Sequence, residues 1–171
     1  MSILVRNVRG FNDQVRRKEV KNHISKYNPH LVAFVETKVS LANVQRLTSC
    51  VYQNWQVNHN FDIEDMGRIW ISWDPRVWRY VVISKSYQQL TLSHSDKGGF
   101  LAFLTIVYGE NVLCRRESLW KDLQHMQGHP WLVAGDFNTA RNTNEKVGGR
   151  TVNICQLAPF NDYITHCNLS I

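Results

Sequence analysis

The sequence predicts an α/β fold with α+β character, a four-layer sandwich in which two packed mixed β-sheets carry helices on their outer faces. Two observations predict it. Strand and helix patterns alternate near both ends of the chain, and between them apolar residues recur with a period of two. The 171 residues, 43% of them hydrophobic, suffice for one sizeable core and are too few for two ordinary domains. We therefore expect one domain over residues 1–171.

The first part of the chain predicts a β-α-β-α order. A strand over residues 3–8 is followed by a helix over residues 14–27, whose apolar residues recur at helical spacing. Residues 31–35 form a continuous apolar run, which is typical of a strand covered on both faces, and Glu36 ends it. A short helix over residues 41–47 follows.

The middle and the last part predict more strands and two more helices. The middle is predicted to be an antiparallel meander, with strands over residues 69–73, 80–84, 89–93 and 100–108. Helical spacing returns over residues 119–126, and a buried strand over residues 131–134 then runs into Asp136. A helix over residues 157–167 ends the pattern.

The charge of the chain suits a polyanionic partner. Lys and Arg number 20 against 14 Asp and Glu, a net charge of +6. Much of the excess lies before residue 30, at Arg6, Arg9, Arg16, Arg17, Lys18, Lys21 and Lys26. This stretch could contact nucleic acid, or it could be only the solvated surface of a helix.

Several protein classes are disfavoured by what the sequence lacks. The four cysteines are widely spaced and form no C-x-x-C pair, so neither a zinc site nor a disulfide framework is indicated. No apolar stretch approaches the ~18 residues of a membrane span, and no secretory signal is recognisable. We therefore expect a soluble, unsecreted protein without a membrane partner. Phosphate-binding loops, dinucleotide fingerprints and nucleophile elbows are also absent.

Four polar residues follow predicted strands, in positions that metal-assisted phosphoryl transfer could use: Asn7, Glu36, Asp136 and Asn138. Ligand sites of α/β sheets gather outside the carboxyl ends of strands, so these residues could converge although they are far apart in sequence. Carboxylates bind hard cations and accept protons from water. Taken singly, each residue could instead cap a helix or occupy a turn.

Four ordered motifs carry a family resemblance: Asn7-Val8-Arg9-Gly10, Val35-Glu36-Thr37-Lys38, Val107-Tyr108-Gly109 and Gly135-Asp136-Phe137-Asn138. In this order they resemble the endonuclease/exonuclease/phosphatase superfamily. The stretches at residues 67–75, 115–120 and 145–149 are similar to the endonuclease domain of plant non-LTR retrotransposons. The resemblance covers essentially the whole chain.

The resemblance implies an endonuclease that uses Mg²⁺, or Mn²⁺ in its place, and cuts DNA to leave a 3′-hydroxyl and a 5′-phosphate. It implies nuclear action, in which the nick primes reverse transcription. Glu36 would bind the metal together with Asp136 and Asn7. Asp136 would also orient or deprotonate the attacking water, Asn138 would place the water and the phosphate, and Tyr108 would contact the phosphate. The oligomeric state is not implied.

Two features depart from the family pattern. The family ends in Ser-Asp-His on its last strand, whereas this sequence stops at Ile171, so we expect the last strands and the Asp-His pair to be missing. Weak or absent activity would follow. The stretch from His94 to Asp96 has the reverse order and a predicted loop position, so it is no substitute. Arg6 stands where the family usually has Trp. It lies on the opposite strand face from Asn7 and should affect packing rather than chemistry.

Two alternatives to a DNA endonuclease stay open. The same residues could serve a phosphatase or phosphodiesterase that acts on a lipid headgroup or a nucleotide. The chain could also be a degenerate, non-catalytic fragment that only binds nucleic acid. Salt-dependent DNA binding without Mg²⁺-dependent cutting would indicate the second alternative.

Overall fold

The computed structural model describes residues 2–48, 54–63, 66–126, 128–145, 148 and 154–170. The strands are β1 (Ile3–Asn7), β2 (Leu31–Ser40), β3 (Gln56–His59), β4 (Met66–Trp73), β5 (Arg79–Lys85), β6 (Gln89–Asp96), β7 (Gly99–Tyr108) and β8 (Trp131–Asp136). The α-helices are α1 (Gln14–Tyr27), α2 (Leu41–Thr48), α3 (Leu113–Leu123) and α4 (Ile154–His166). Short 3₁₀ turns lie at Gln124–Met126 and Thr143–Glu145.

The strands form two four-stranded mixed sheets. The first has the order β1-β2-β4-β3, with β1 parallel to β2 and the other neighbours antiparallel. The second has the order β5-β6-β7-β8, with β7 and β8 parallel and the other neighbours antiparallel. Each sheet therefore has one parallel pair, and both members of that pair end at the same edge.

The two sheets pack face to face around one apolar core. This core includes Ala33 and Ile71 from the first sheet and Leu92 and Ile106 from the second, all almost fully buried. Burying one such larger apolar side chain contributes about 1.5–3 kcal/mol. The predicted packing of two mixed sheets is confirmed.

Helices cover the outer face of each sheet. Apolar residues of α1 and α2 pack on Phe34 and Trp70 of the first sheet. Apolar residues of α3 and α4 pack on Val107 and Val133 of the second. The predicted four layers are therefore present. Trp70 and Trp73 are both buried, each exposing about 1% of its surface.

Hydrogen bonds at both ends of α1 fix its limits. The side chain of Asp13 accepts a hydrogen bond from the backbone N–H of Val15 at 2.7 Å, an N-terminal cap. Asn28 adopts a left-handed conformation and its N–H donates to the Ile24 carbonyl at 2.9 Å. The helix therefore starts at Gln14, seven residues after Asn7 at the end of β1.

The prediction that the middle strands form a single meander is wrong in one respect. The strand predicted over residues 69–73 belongs to the first sheet, where it lies between β2 and the short strand β3. The sequence pattern missed β3, because its segment Gln56–His59 has little apolar content. Only β5, β6 and β7 form the meander, so the chain passes from one sheet to the other between β4 and β5.

Two of the strands that extend beyond their predicted limits, β2 and β6, affect residues discussed above. β2 continues past Glu36 to Ser40 through a bulge between Val35 and Val39, which a reading of apolar runs cannot detect. His94 was expected in a loop, but it lies within β6 and packs between Trp78 and Tyr80. Its position in β6 is fixed by pairing with Ala102 of β7.

Two further expectations from the sequence concern membrane-spanning helices and the stretch at residues 145–149. None of the helices described is long and apolar enough to cross a membrane. The stretch at residues 145–149, which carries part of the resemblance, lies outside the described residues except for Glu145 and Gly148.

Candidate active site

The carboxyl ends of β1 and β8 meet across the two sheets. There the Asn7 side-chain amide donates a hydrogen bond to one carboxylate oxygen of Asp136, with Nδ2 to Oδ2 at 2.8 Å. The backbone N–H of Arg9 donates to Asn7 Oδ1 at 3.0 Å, which fixes the orientation of the amide. Residues 129 positions apart in the chain are thus brought into direct contact.

Glu36 lies in the bulge of β2, beside this contact. The Asn7 amide, which bonds to Asp136, also lies close enough to the Glu36 carboxylate to lower its pKa. Lys38 Nζ is 2.8 Å from Glu36 Oε1. Burial raises the pKa of Glu36, but hydrogen bonds from Lys38 and Asn7 outweigh it and leave the pKa below its ordinary value. Glu36 is therefore an anion at neutral pH, paired with an ammonium group.

Backbone and side-chain hydrogen bonds hold Asp136 and Asn138 at the end of β8. Asp136 Oδ1 accepts from the backbone N–H of Asn138 at 2.9 Å, and the Asn138 side-chain amide donates to the Gly109 carbonyl at 2.6 Å. The N–H of Gly109 donates in turn to the Asp136 carbonyl at 2.8 Å. Since Asn7 holds the other oxygen of Asp136, both carboxylate oxygens have a fixed donor.

Tyr108 lies directly opposite Asp136, in the parallel pairing of β7 and β8. Burial, and next the negative charge of Glu36, raises the pKa of its phenol above the ordinary value. The positive charge of Arg68 and a hydrogen bond with Asn138 act in the opposite direction. The phenol thus shares one electrostatic environment with both carboxylates. The structure brings together all five residues that the sequence singled out.

A basic cleft of about 300 Å³ opens beside Asn7, between β1 and α1. Three arginines line it: Arg6, Arg9 and Arg16. Arg6 donates to Glu19 Oε2 at 3.1 Å and contacts His23, so it packs against α1 on the strand face opposite Asn7. The basic stretch noticed in the sequence therefore partly lies next to the candidate site.

The candidate site offers oxygen ligands of the kind that a hard cation binds. Glu36 and Asp136 supply carboxylates, and Asn7 lies between them. Nowhere in the described residues do three His, Cys, Asp or Glu side chains gather in one group, so the candidate site offers two carboxylates and an amide. The donor set fits Mg²⁺ or Mn²⁺ better than zinc, which favours His and Cys.

Sequence reasoning missed three residues that shape the site. Lys38 was named only as part of a motif, although its place two residues after Glu36 in an extended run could have indicated the pair. Arg68 and Glu110 were not singled out, and they form an ion pair at 3.4 Å next to Tyr108. Their pairing joins two sheets, and no local pattern in the sequence indicates it.

One protein family and several solved structures are similar to this chain. The model of a family described as the endonuclease/exonuclease/phosphatase family matches residues 7–153. No curated protein sequence matches significantly.

Several solved structures have a similar fold. The endonuclease domain of TRAS1, a telomere-specific non-LTR retrotransposon, aligns at 10% identity with a TM-score of 0.70, over 96% of this chain and 69% of that one. The AP endonuclease LMAP from Leishmania major aligns at 13% identity with a TM-score of 0.71, over 98% and 66%. A humanized D. rerio TDP2 aligns at 16% identity with a TM-score of 0.59, over 82% of this chain. The alignment spans 63% of that TDP2 chain.

Proposed function

The chain belongs to the endonuclease/exonuclease/phosphatase family, and we propose that it is a metal-dependent endonuclease domain that nicks DNA for a non-LTR retrotransposon. The observation that carries this proposal is the contact of Asn7 with Asp136 and Glu36, which unites two carboxylates at the joined edges of the sheets. The similarity in fold to the TRAS1 endonuclease domain supports the retrotransposon assignment.

The proposed reaction is in-line hydrolysis of a phosphodiester. A water oxygen forms the new bond to phosphorus, the bond from phosphorus to the 3′-oxygen breaks, and the products are a 5′-phosphate and a 3′-hydroxyl. Asp136 accepts the proton of the attacking water, because its carboxylate is already oriented by donors from Asn7 and Asn138. The departing 3′-oxygen takes its proton from solvent.

The remaining residues hold the phosphate and the metal. Asn138 follows Asp136 by two residues and Tyr108 lies opposite Asp136 in the pairing of β7 with β8, where both can reach a phosphate oxygen. Glu36, with Asn7 and Asp136, would hold Mg²⁺ or Mn²⁺, which supplies positive charge to the phosphate when bound. The Lys38 ammonium group forms an ion pair with Glu36, so it has to move away before the metal ion can bind this carboxylate.

The basic cleft beside Asn7 supports DNA as the substrate. A nucleic acid strand carries a regular series of phosphates, so a phosphate at Asp136 brings its neighbours to the surrounding surface. Arg9 and Arg16 lie on that surface. A small phosphomonoester has no neighbouring phosphates that these arginines could contact.

The test is a substrate panel: supercoiled plasmid DNA, a labelled duplex oligonucleotide, p-nitrophenyl phosphate and bis-p-nitrophenyl phosphate, each with Mg²⁺, Mn²⁺ or EDTA. We expect weak, metal-dependent plasmid nicking that leaves ends extendable by a DNA polymerase, which requires a free 3′-hydroxyl. Glu36→Gln should reduce nicking about a hundredfold or more. The matched control Glu117→Gln, on the exposed face of α3, should keep the wild-type rate.

Three outcomes would contradict the proposal. Hydrolysis of the monoester without nicking would indicate a phosphatase, and hydrolysis of the small diester alone would indicate a phosphodiesterase for a smaller substrate. DNA binding by the folded chain without any hydrolysis would indicate a non-catalytic binding domain.

A further inference from the structure

Arg68 occupies an unusual place between two tyrosine rings near the candidate site. Its guanidinium carbon is 4.2 Å from the centre of the Tyr87 ring and 5.4 Å from that of Tyr108. These distances are within the range of cation–π attraction. One guanidinium nitrogen also lies 3.4 Å from Glu110 Oε1, and only 11% of the Glu110 side chain is exposed.

A buried hydrogen-bond network holds Glu110. Its backbone N–H donates to the side-chain oxygen of Gln88 at 2.7 Å, and its carbonyl accepts from Arg116 Nε at 2.7 Å. The Gln88 side-chain amide donates to the Arg115 carbonyl of α3 at 2.9 Å, and the Gln88 carbonyl accepts from the N–H of Tyr108 at 2.9 Å. The Glu110 backbone is thus fixed relative to Tyr108 and to α3.

The network gives Arg68 a fixed anchor beside Tyr108. Arg68 comes from β4 of the first sheet, whereas Tyr108 ends β7 of the second and Glu110 follows it. The ion pair is therefore a second bridge between the sheets, in addition to the contact of Asn7 with Asp136.

We propose that Arg68, anchored by Glu110, is a positioning residue that holds the Tyr108 phenol beside Asn138 and Asp136. A guanidinium suits this role better than an ammonium, because it is planar, stacks on aromatic rings and pairs with a carboxylate through a rigid fork. The inference that this positioning serves catalysis rests on the proposed nuclease function. The positioning itself does not.

The first test needs no turnover. Wild-type protein labelled with [¹³Cζ]tyrosine is studied by NMR at neutral pH, with the Tyr108 resonance assigned from Tyr108→Phe. We expect Arg68→Met to shift the Tyr108 resonance, because the guanidinium 5.4 Å from the ring centre is removed. Arg68→Lys should restore part of the change. The control Arg76→Met removes another arginine–carboxylate pair, Arg76 with Asp74, and should leave Tyr108 unchanged.

An unchanged Tyr108 resonance in folded Arg68→Met would overturn the proposal, whether or not the protein cuts DNA. A folded protein with the expected Tyr108 shifts and no nicking would instead contradict only the proposed function. The two failures are therefore distinguishable.

Glu110→Gln in the nicking assay separates positioning from direct contact with DNA. If Arg68 positions Tyr108, loss of its anchor should lower kcat about ten- to a hundredfold and leave KM unchanged. If Arg68 instead binds the substrate phosphate, release from Glu110 should lower KM and leave kcat unchanged, and the proposal fails. A double-mutant cycle of Arg68→Met with Tyr108→Phe should be strongly non-additive, and additive losses in kcat would also overturn it.

Discussion

Glu36 and Lys38 hold backbone conformations that long side chains rarely adopt, with φ of 56° and 52°. Each such left-handed residue costs about 1–2 kcal/mol. Neighbouring hydrogen bonds hold the bulge in this shape: the N–H groups of Gly10 and Phe11 donate to the carbonyls of Glu36 and Thr37 at 2.8 and 2.7 Å. The strained segment aims both side chains at the site, where they form an ion pair.

At the residue scale, Lys38→Met should tighten Mg²⁺ binding. The Lys38 ammonium lies 2.8 Å from the carboxylate that would bind the ion, and 54% of its side chain is exposed. Removing an exposed ion pair of this kind should lower the Mg²⁺ dissociation constant about two- to fivefold. Isothermal titration calorimetry measures this directly. Lys97→Met, in the exposed turn between β6 and β7, is the control. Weaker Mg²⁺ binding by Lys38→Met would mean that Lys38 orients Glu36 for the metal.

The sequence could predict part of the site at this scale. Asn7, Glu36, Asp136 and Asn138 stand at the ends of strand patterns, and their chemistry suggests metal-dependent phosphoryl transfer. The ion pair of Arg68 with Glu110 could not be predicted. It depends on how two sheets face each other, and the 41 intervening residues give no local signal of that arrangement.

At the element scale, Gly109 lets the ends of β7 and β8 approach closely. A Cβ atom added there would lie 2.5 Å from the backbone carbonyl oxygen of Phe137. Gly109→Ala should therefore push the two strand ends apart, lower the free energy of unfolding by about 1–3 kcal/mol and reduce nicking. Urea denaturation and the plasmid assay measure the two effects.

The control for Gly109 is Gly98→Ala. A Cβ at Gly98 would meet only a side-chain oxygen of Asp96, at 3.1 Å, which can move. We expect Gly98→Ala to be close to wild type in both measurements. If Gly109→Ala is equally mild, the close approach of the two strand ends is not needed for the site.

The turn between β4 and β5, where the chain changes sheets, depends on Asp74. Hydrogen bonds from the Arg76 guanidinium, at 2.9 and 2.7 Å, lower the pKa of Asp74 to about 2 from its ordinary 3.8, against the effect of burial. Because the folded pKa is lowered, the stabilisation is complete above pH 3.8 and is lost as the pH falls towards 2.

Asp74→Asn should therefore be less stable than wild type at pH 7, and the difference should shrink below about pH 4. Urea unfolding of both proteins from pH 7 to pH 3 provides the measurement. A constant difference across this range would show that the Asp74 carboxylate acts through its shape rather than its charge.

Strand and helix patterns predicted most elements, but strand partners were harder to predict. The period-two pattern of β4 resembles that of β5, β6 and β7, although β4 pairs with β2 and β3 in the other sheet. Local sequence specifies that a segment is extended and which face is apolar. The choice of sheet depends on non-local packing, here on the turn at Asp74.

At the scale of the whole molecule, the net charge of +6 and the basic cleft predict salt-dependent DNA binding. The logarithm of the association constant should fall linearly with the logarithm of salt concentration. Arg9→Gln, in the cleft, should make the slope shallower by about one. Arg79→Gln, at an exposed position at the start of β5, should leave the slope unchanged. Fluorescence anisotropy with a labelled duplex measures both slopes, and equal slopes for the two variants would remove the cleft from the DNA-binding surface.

The whole-molecule architecture followed from the sequence better than its details. Alternating elements at both ends and a β-rich centre predicted two covered sheets, because each apolar face must be buried against another layer. Which strand ends meet was not determined by that rule. The contact between Asn7 and Asp136 emerges only when the two sheets pack face to face with the carboxyl ends of β1 and β8 close together.

We propose that Asp136, oriented by Asn7 and Asn138, activates the water that cuts DNA. Single-turnover nicking of a supercoiled plasmid at saturating Mg²⁺ tests it most directly, with wild type, Asp136→Asn and the control Asp162→Asn on the exposed face of α4. We predict wild-type nicking, a loss of about 10²–10⁴-fold in Asp136→Asn and no loss in Asp162→Asn. Equal rates for wild type and Asp136→Asn, or no nicking by the folded wild-type chain, would contradict the claim.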